Sequence, residues 1–170
     1  MILYMERILI IGCSCAGKST LARTLGKKLH LPVTHLDQLW WKEGWENVSQ
    51  EEFNEKLQAV LDGDRWIIDG NYGRTMEMRL QKCDTVIYLE FSRWACLWGL
   101  LQRLTQSYGR VRPDMSAGCP ERFDWEFVKW IWNYNRDNRV KNSTYLAKTR
   151  QAEKIILKNR REVRNFLAAI

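Results

Sequence analysis

The chain has 170 residues and a mass of 20.3 kDa, the size of one ordinary globular domain. Hydrophobic residues make up 45% of it and charged residues 28%, which excludes disordered, collagen-like and coiled-coil proteins. The net charge of +7 favours an anionic partner, and residues 101–170 carry all of the excess because residues 1–100 are nearly neutral. Five scattered cysteines without a CxxC pair, and no membrane or targeting pattern, lead us to expect a cytoplasmic protein.

Short apolar runs alternate with helical periodicity along the chain. The runs at 8–11, 33–36, 66–68, 85–89 and 154–157 predict five strands. Helices are predicted after the glycine loop up to His30, from Ser49 to Gly63, at 75–80, at 94–106, at 123–136, and after Asn159. This alternation predicts an α/β fold in three layers, with a five-stranded parallel sheet, in a single domain spanning 1–170.

One motif carries most of the functional information. Residues 12–19, Gly-Cys-Ser-Cys-Ala-Gly-Lys-Ser, fit the G-x-x-x-x-G-K-[ST] pattern between a predicted strand and a predicted helix. Backbone N–H groups and the helix N-terminus would surround a phosphate there, whereas a plain glycine turn is the alternative. Lys18 would reach the outer phosphates as a catalytic residue, and Ser19 would hold Mg²⁺. We predict ATP binding by seven residues of this segment: Gly12, Ser14, Ala16, Gly17, Lys18, Ser19 and Thr20.

The same loop contains two cysteines, Cys13 and Cys15. A helix N-terminus stabilises a thiolate, so one hypothesis for this position is a lowered thiol pKa that makes nucleotide binding redox-sensitive.

Two aspartates follow predicted strands. Asp69 ends the strand at 66–68, and Asp37 follows the second strand, so both are expected at the carboxyl edge of the sheet, where ligands of open α/β folds bind. This placement suits Asp69 as a second Mg²⁺ ligand and Asp37 as the group that orients or deprotonates an acceptor hydroxyl. The alternative for each is a cap or turn residue.

Arginines gather around a segment at about 107–122 that contains glycines and prolines, which we expect to be a mobile lid. Arginine favours bidentate phosphate contact, so we predict that four of them stabilise charge during phosphoryl transfer: Arg103, Arg110, Arg112 and Arg122. A solvated face is the alternative. The further basic residues at 148–164 are expected to be solvated surface.

Nine tryptophans are many for this length. Trp40, Trp41 and Trp45 flank Asp37 inside a predicted acceptor-binding insertion at about 37–63, where they either stack on a planar acceptor or pack internally. Four others at helical spacing are expected to pack in the core or under the lid: Trp94, Trp98, Trp130 and Trp132.

Several segments together resemble the bacterial topology modulation protein (FlaR-like) family, which is related to adenylate kinase: 12–20, 35–37 with Trp41 and Trp45, 66–72, 112–115 and 118–124. The resemblance covers nearly the whole chain and implies a P-loop kinase-like fold, an arginine-bearing lid and ATP binding. Asp69-Gly70 is similar in position to the Asp-Gly pair of nucleoside monophosphate kinases, and Arg103 to the arginine that starts their lid. Those kinases often carry another arginine where this chain has Gly99, so the adenine contact is expected near Asn159.

Together these features predict an ATP- and Mg²⁺-dependent phosphotransferase that resembles adenylate kinase and acts on a nucleotide or another small hydroxyl or phosphate acceptor. The alternative is a nucleotide-dependent DNA-binding or regulatory protein that affects DNA topology, as the name of the family and the C-terminal basic residues suggest. The sequence contains no helix-turn-helix or zinc-finger pattern, which makes nucleic acid the secondary partner.

Overall fold

The computed structural model describes residues 5–170. Its strands are, in chain order, β1 (Arg7–Gly12), β2 (Val33–His35), β3 (Trp41–Lys42), β4 (Glu46–Asn47), β5 (Trp66–Asp69), β6 (Thr85–Leu89) and β7 (Glu153–Leu157). Five of them form one sheet in the order β2-β5-β1-β6-β7, with every neighbouring pair parallel. Strands β3 and β4 form a separate antiparallel hairpin. The predicted five-stranded parallel sheet is thereby confirmed.

The helices are, in chain order, α1 (Lys18–Leu29), α2 (Leu36–Trp40), α3 (Gln50–Leu61), α4 (Met76–Lys82), α5 (Arg93–Ser107), α6 (Trp125–Lys148) and α7 (Arg160–Ala169). Four of them begin at a residue whose side chain accepts a hydrogen bond from a backbone N–H of the first turn: Ser49, Ser92, Asp124 and Asn159. Such caps satisfy N–H groups that have no partner inside the helix. No helix in the part of the chain described here is long and apolar enough to cross a membrane.

The sheet buries both of its faces. Alternate residues of a strand point to opposite sides, so Ile8 and Ile10 belong to one apolar cluster and Leu9 and Ile11 to the other. Helices α1, α5 and α7 pack on the first cluster, and α3 and α4 on the second. The three-layer arrangement thus follows from strands that are apolar on both sides.

Helix α6 is much longer than the predicted helix at 123–136, because it continues to Lys148. The sequence from Asp137 to Ser143 is polar, so apolar periodicity gives no signal there. Packing against the rest of the chain accompanies the extension: Leu146 packs in the second cluster, and Asn142 is buried, with its Nδ2 donating within α6 to the hydroxyl of Tyr134. The predicted boundary was wrong because long-range packing overrides local pattern.

Four tryptophans were expected to pack in the core or under the lid, and none of the four belongs to the buried core. Trp94 and Trp98 are 66% and 57% exposed, and Trp130 and Trp132 are about 40% exposed. Their spacing matches the helix period, but a period does not say which side of the helix faces the core. The buried sides of α5 and α6 carry smaller or more polar residues, such as Cys96 and Tyr134.

Arg79 of α4 holds the loop that follows β5. Its side chain is fully buried, and its guanidinium donates hydrogen bonds to four backbone carbonyls: Gly70, Asn71, Tyr72 and Thr75. Burial lowers the pKa of Arg79 to about 9, which leaves the side chain charged at neutral pH. One buried cation therefore holds the backbone of residues 70–75 in place.

Replacing Arg79 with Met should lower the free energy of unfolding by about 3 kcal/mol, because buried carbonyls lose a charged donor. Urea denaturation followed by circular dichroism measures this. Arg74, one turn earlier and exposed, provides the matched control, and Arg74→Met should change stability by under about 0.5 kcal/mol. Equal small losses in both variants would contradict the role given to Arg79.

Candidate active site

The loop between β1 and α1 has an unusual backbone. Gly12 and Gly17 have φ of 142° and 99°, and Cys15 has φ of 63°. A Cβ on Gly12 would lie 2.6 Å from the carbonyl oxygen of Leu89, so only glycine fits there. Asn71 fastens the start of the loop, since its Oδ1 accepts from Gly12 N–H (3.1 Å) and its Nδ2 donates to Gly12 O (2.7 Å).

The first turn of α1 is open to an anion. The helix follows directly on Gly17, which has no side chain to cap the first N–H groups. These free N–H groups and the helix dipole create a positive potential at the loop. Lys18 adds a cation, and its Nζ donates to the carbonyl oxygen of Cys13 at 3.0 Å.

Helix α5 passes very close to the same loop. A Cβ on Gly99 would lie 2.2 Å from the carbonyl oxygen of Cys15. No side chain fits between the two segments without a shift, so this position of α5 requires glycine. The close approach places the following turn of α5, with Arg103, beside the loop.

Two aspartates meet at the carboxyl edge of the sheet. Asp69 is buried, and its Oδ2 lies 2.8 Å from Nδ1 of His35, at the end of the neighbouring strand β2. The other oxygen, Oδ1, is buried and has no hydrogen-bond partner within residues 5–170. Asp37 receives a hydrogen bond of 2.7 Å from the hydroxyl of Tyr72, and burial raises the pKa of Asp37.

Three arginines and two carboxylates form a chain of ion pairs over the loop. Asp114 binds Arg23 of α1 (3.2 Å) and Arg112, and Glu121 binds Arg112 Nε (2.8 Å) and Arg103 Nη2 (3.0 Å). Both carboxylates are buried. We refer to these five residues as the arginine–carboxylate network, and its members come from α1, α5 and the segment between α5 and α6.

That segment, predicted as a lid at about 107–122, contains no helix or strand and packs against the region around β3. Gln38 Nε2 donates to the carbonyl of Pro113 (2.8 Å), and the N–H of Gly44 donates to the carbonyl of Gly118 (3.1 Å). Cys119 Sγ donates to the carbonyl of Lys42. The segment is therefore docked over the edge of the sheet, while its mobility stays a prediction.

A cavity of about 950 Å³ brings most of the predicted site together. Its lining includes Ser14, Ala16, Gly17, Lys18, Ser19, Thr20, Asp37, Asp69, Arg103, Arg112 and Arg122. Three predicted residues do not line it: Gly12 is held by Asn71, Arg110 is exposed, and Asn159 caps α7. The roles of all these residues in binding or catalysis stay predictions.

Sequence reasoning missed one wall of the cavity, which α7 provides. Arg160, Val163, Arg164 and Leu167 line it, the first directly after the capping residue Asn159 and the others one and two turns further along. Their spacing of three and four residues was a usable signal, but the basic residues at 148–164 were all expected to be solvated surface. Two of them, Arg160 and Arg164, belong to the cavity instead.

The expectation about the loop cysteines was wrong. Burial raises the pKa of the Cys15 thiol, although Arg103 and Lys18 oppose the shift. A hydrogen bond to Cys96, with burial, raises the pKa of the Cys13 thiol as well. Desolvation outweighs the favourable helix terminus, so neither thiol has the lowered pKa that a redox-sensitive loop requires.

Comparison with solved structures relates this fold to kinases. The shikimate kinase from Bacteroides thetaiotaomicron has a TM-score of 0.56 and 19% identity, with 97% of this chain and 95% of that one covered. A shikimate kinase from Acinetobacter baumannii in complex with shikimate gives 0.56 and 16%, with coverage of 98% and 90%, and one from Aquifex aeolicus gives 0.51 and 17%, with coverage of 96% and 95%. No family model and no curated protein matches the chain. The chain therefore has the P-loop kinase fold.

Substituting Gly99 with Ala should weaken binding of Mg·ATP about tenfold, because the methyl group pushes the Cys15 carbonyl and distorts the loop. Isothermal titration calorimetry on the folded variant measures the affinity. Gly63→Ala is the matched control, since its Cβ would lie 3.2 Å from Val60 O, away from the cavity. Unchanged ATP affinity in Gly99→Ala would show that the contact does not shape the site.

Proposed function

We propose that this protein is an ATP-dependent phosphotransferase of the adenylate kinase kind. The observation that carries the proposal is the uncapped, glycine-shaped loop at 12–19, which opens into one cavity together with Asp37 and Asp69. A phosphate cradle beside two carboxylates at the edge of a parallel sheet suits transfer from a triphosphate to a nearby acceptor. The fold shared with shikimate kinases supports the same class of reaction.

The triphosphate of ATP would lie along the loop, held by backbone N–H groups of residues 14–20 and by Lys18. Its base would lie towards α5 and α7, where Arg160, Val163 and Leu167 form the wall. These α7 residues would then make the adenine contact that the sequence led us to expect near Asn159. Part of the basic C-terminal charge would also serve nucleotide binding, with nucleic acid as the secondary partner.

Mg²⁺ fits the site because Asp69 has a buried carboxylate oxygen without a hydrogen-bond partner within residues 5–170, and Ser19 lines the same cavity. Ser19 and Asp69 are the residues that would hold the ion. When bound, it would neutralise phosphate charge and orient the terminal phosphoryl group. His35 supports this arrangement, since its hydrogen bond fixes the other oxygen of Asp69.

We propose that residues 107–122 act as the lid and residues 37–63 as the acceptor-binding part. The arginine–carboxylate network ties the lid to α1 and α5, so Arg103 and Arg112 are placed above the loop. Their charge would stabilise the transferred phosphoryl group, and closure would exclude water from it.

The residue pattern shared with the topology modulation protein family supports assigning the chain to that family.

Lys18→Met should reduce phosphoryl transfer at least about 100-fold, because the variant lacks the cation that meets the outer phosphates. Production of ADP from Mg·ATP, measured with nucleoside monophosphates, nucleosides, sugars and shikimate as acceptors, tests this. Lys27→Met, at the exposed end of the same helix, is the control and should keep full activity. Equal turnover in wild type and Lys18→Met would refute the site.

The pKa that governs the acid limb of the pH–rate profile should lie above the usual pKa of an aspartate. Burial and the charge of Asp69 raise the pKa of Asp37, whereas the hydrogen bond from Tyr72 and the charges of Lys18 and Arg112 lower it. The rate should therefore fall as the pH drops through this raised pKa. Tyr72→Phe removes a lowering influence and should move the acid limb to higher pH, whereas an unmoved limb would argue against Asp37 as the base.

A further inference from the structure

Carboxylates offset part of the arginine charge that lines the cavity. In the arginine–carboxylate network, Asp114 and Glu121 pair with Arg23, Arg103 and Arg112, which leaves the Nε atom of Arg103 without a hydrogen-bond partner within residues 5–170. Removing a partner from a buried ion pair is strongly unfavourable, so an incoming anion does not readily displace these carboxylates. Arg122 has no carboxylate partner within residues 5–170, but it is exposed and lies over the ring of Trp45. An exposed charge is screened by water and selects weakly.

The carboxylate of Asp37 disfavours a second anion. Asp37 lines the cavity, and its Oδ1 is occupied by the hydroxyl of Tyr72 at 2.7 Å. Its Oδ2 accepts no hydrogen bond from the described residues, so this oxygen can accept one from a ligand. A phosphate or carboxylate placed here would face like charge in a poorly solvated site, whereas a neutral hydroxyl would donate to Oδ2.

The hairpin of β3 and β4 presents two aromatic rings to the cavity. The rings of Trp41 and Trp45 lie 5.4 Å apart at 73°, and both residues line the cavity. Trp45 has φ of 65°, a left-handed conformation that is costly for a bulky residue and is typically retained where function requires it. Its Nε1 is buried and donates to no atom within residues 5–170, so a ligand with a ring oxygen or carbonyl would satisfy it.

From the carboxylate of Asp37 and the rings of Trp41 and Trp45 we propose that the phosphoryl acceptor is an uncharged, ring-bearing alcohol of the nucleoside or sugar type. A phosphate monoester and a hydroxy acid are both disfavoured. The proposal rests on the phosphotransferase function and decides between the hydroxyl and phosphate acceptors that the sequence left open. Trp41 and Trp45 hold the ring, and Asp37 Oδ2 receives the reacting hydroxyl.

The reaction is balanced with ATP as the only co-substrate. The hydroxyl proton passes to Asp37 while the acceptor oxygen forms a bond to the γ-phosphorus. The bond from that phosphorus to the β,γ-bridging oxygen breaks, and ADP leaves with the electron pair. Asp37 then releases the proton to water.

The test measures kcat/KM for ADP formation with Mg·ATP and matched acceptors. Thymidine and adenosine are compared with their 5′-monophosphates, ribose and glucose represent sugars, and shikimate represents a hydroxy acid. At least one uncharged alcohol should react at least about tenfold faster than every anionic acceptor. Whether the best acceptor is a nucleoside or a sugar then identifies which of the two types the enzyme uses. A preference for a monophosphate or for shikimate would overturn the proposal and leave the phosphotransferase function standing. Transfer to none of them would overturn both.

Three variants connect the preference to the residues. Asp37→Asn should lower kcat at least about 100-fold with ATP affinity unchanged, because the base is lost. Trp45→Ala should raise KM for the alcohol about tenfold with little change in kcat, and Trp45→Phe should restore part of the loss. Trp94→Ala, an exposed tryptophan outside the cavity, is the control and should match wild type. A Trp45→Ala enzyme with unaltered KM would contradict the proposed position of the ring.

Discussion

The contact between Gly99 and the Cys15 carbonyl constrains the rest of the site. It places α5 against the phosphate loop, and one turn later Arg103 lies beside that loop. Arg103 binds Glu121, which in turn binds Arg112, so the position of the segment between α5 and α6 follows from the position of α5. The absence of a side chain at Gly99 thereby determines where the arginines beside the loop lie.

The second constraint is electrostatic. Cations surround the loop, and three of the arginines that line the cavity, Arg23, Arg103 and Arg112, are paired with buried carboxylates. The α1 N-terminus, where Lys18 lies, adds positive potential at the loop. Towards β2 the cavity becomes acidic, with Asp37 and Asp69 at neighbouring strand ends. Under the proposed function, this polarity would separate a donor end for phosphates from an acceptor end for a neutral hydroxyl.

Local pattern was sufficient to predict the sheet, the glycine loop between β1 and α1, and the helix that Ser49 caps, because these depend on residues a few positions apart. It was not sufficient where distant segments decide the outcome. The end of α6 packs through Leu146 against the second cluster, and Arg160 reaches the cavity only because α7 packs beside α5. The arginines were recognised as a group, but no spacing in the sequence reveals that Asp114 and Glu121 pair with them.

The most direct test of the account is a crystal structure of the protein with Mg²⁺ and a non-hydrolysable ATP analogue. The triphosphate should lie along residues 12–19, with Lys18 Nζ moved from the Cys13 carbonyl to the outer phosphates and the γ-phosphate directed towards Asp37. A triphosphate bound elsewhere, or one whose terminal phosphate points away from Asp37, would contradict the proposed site.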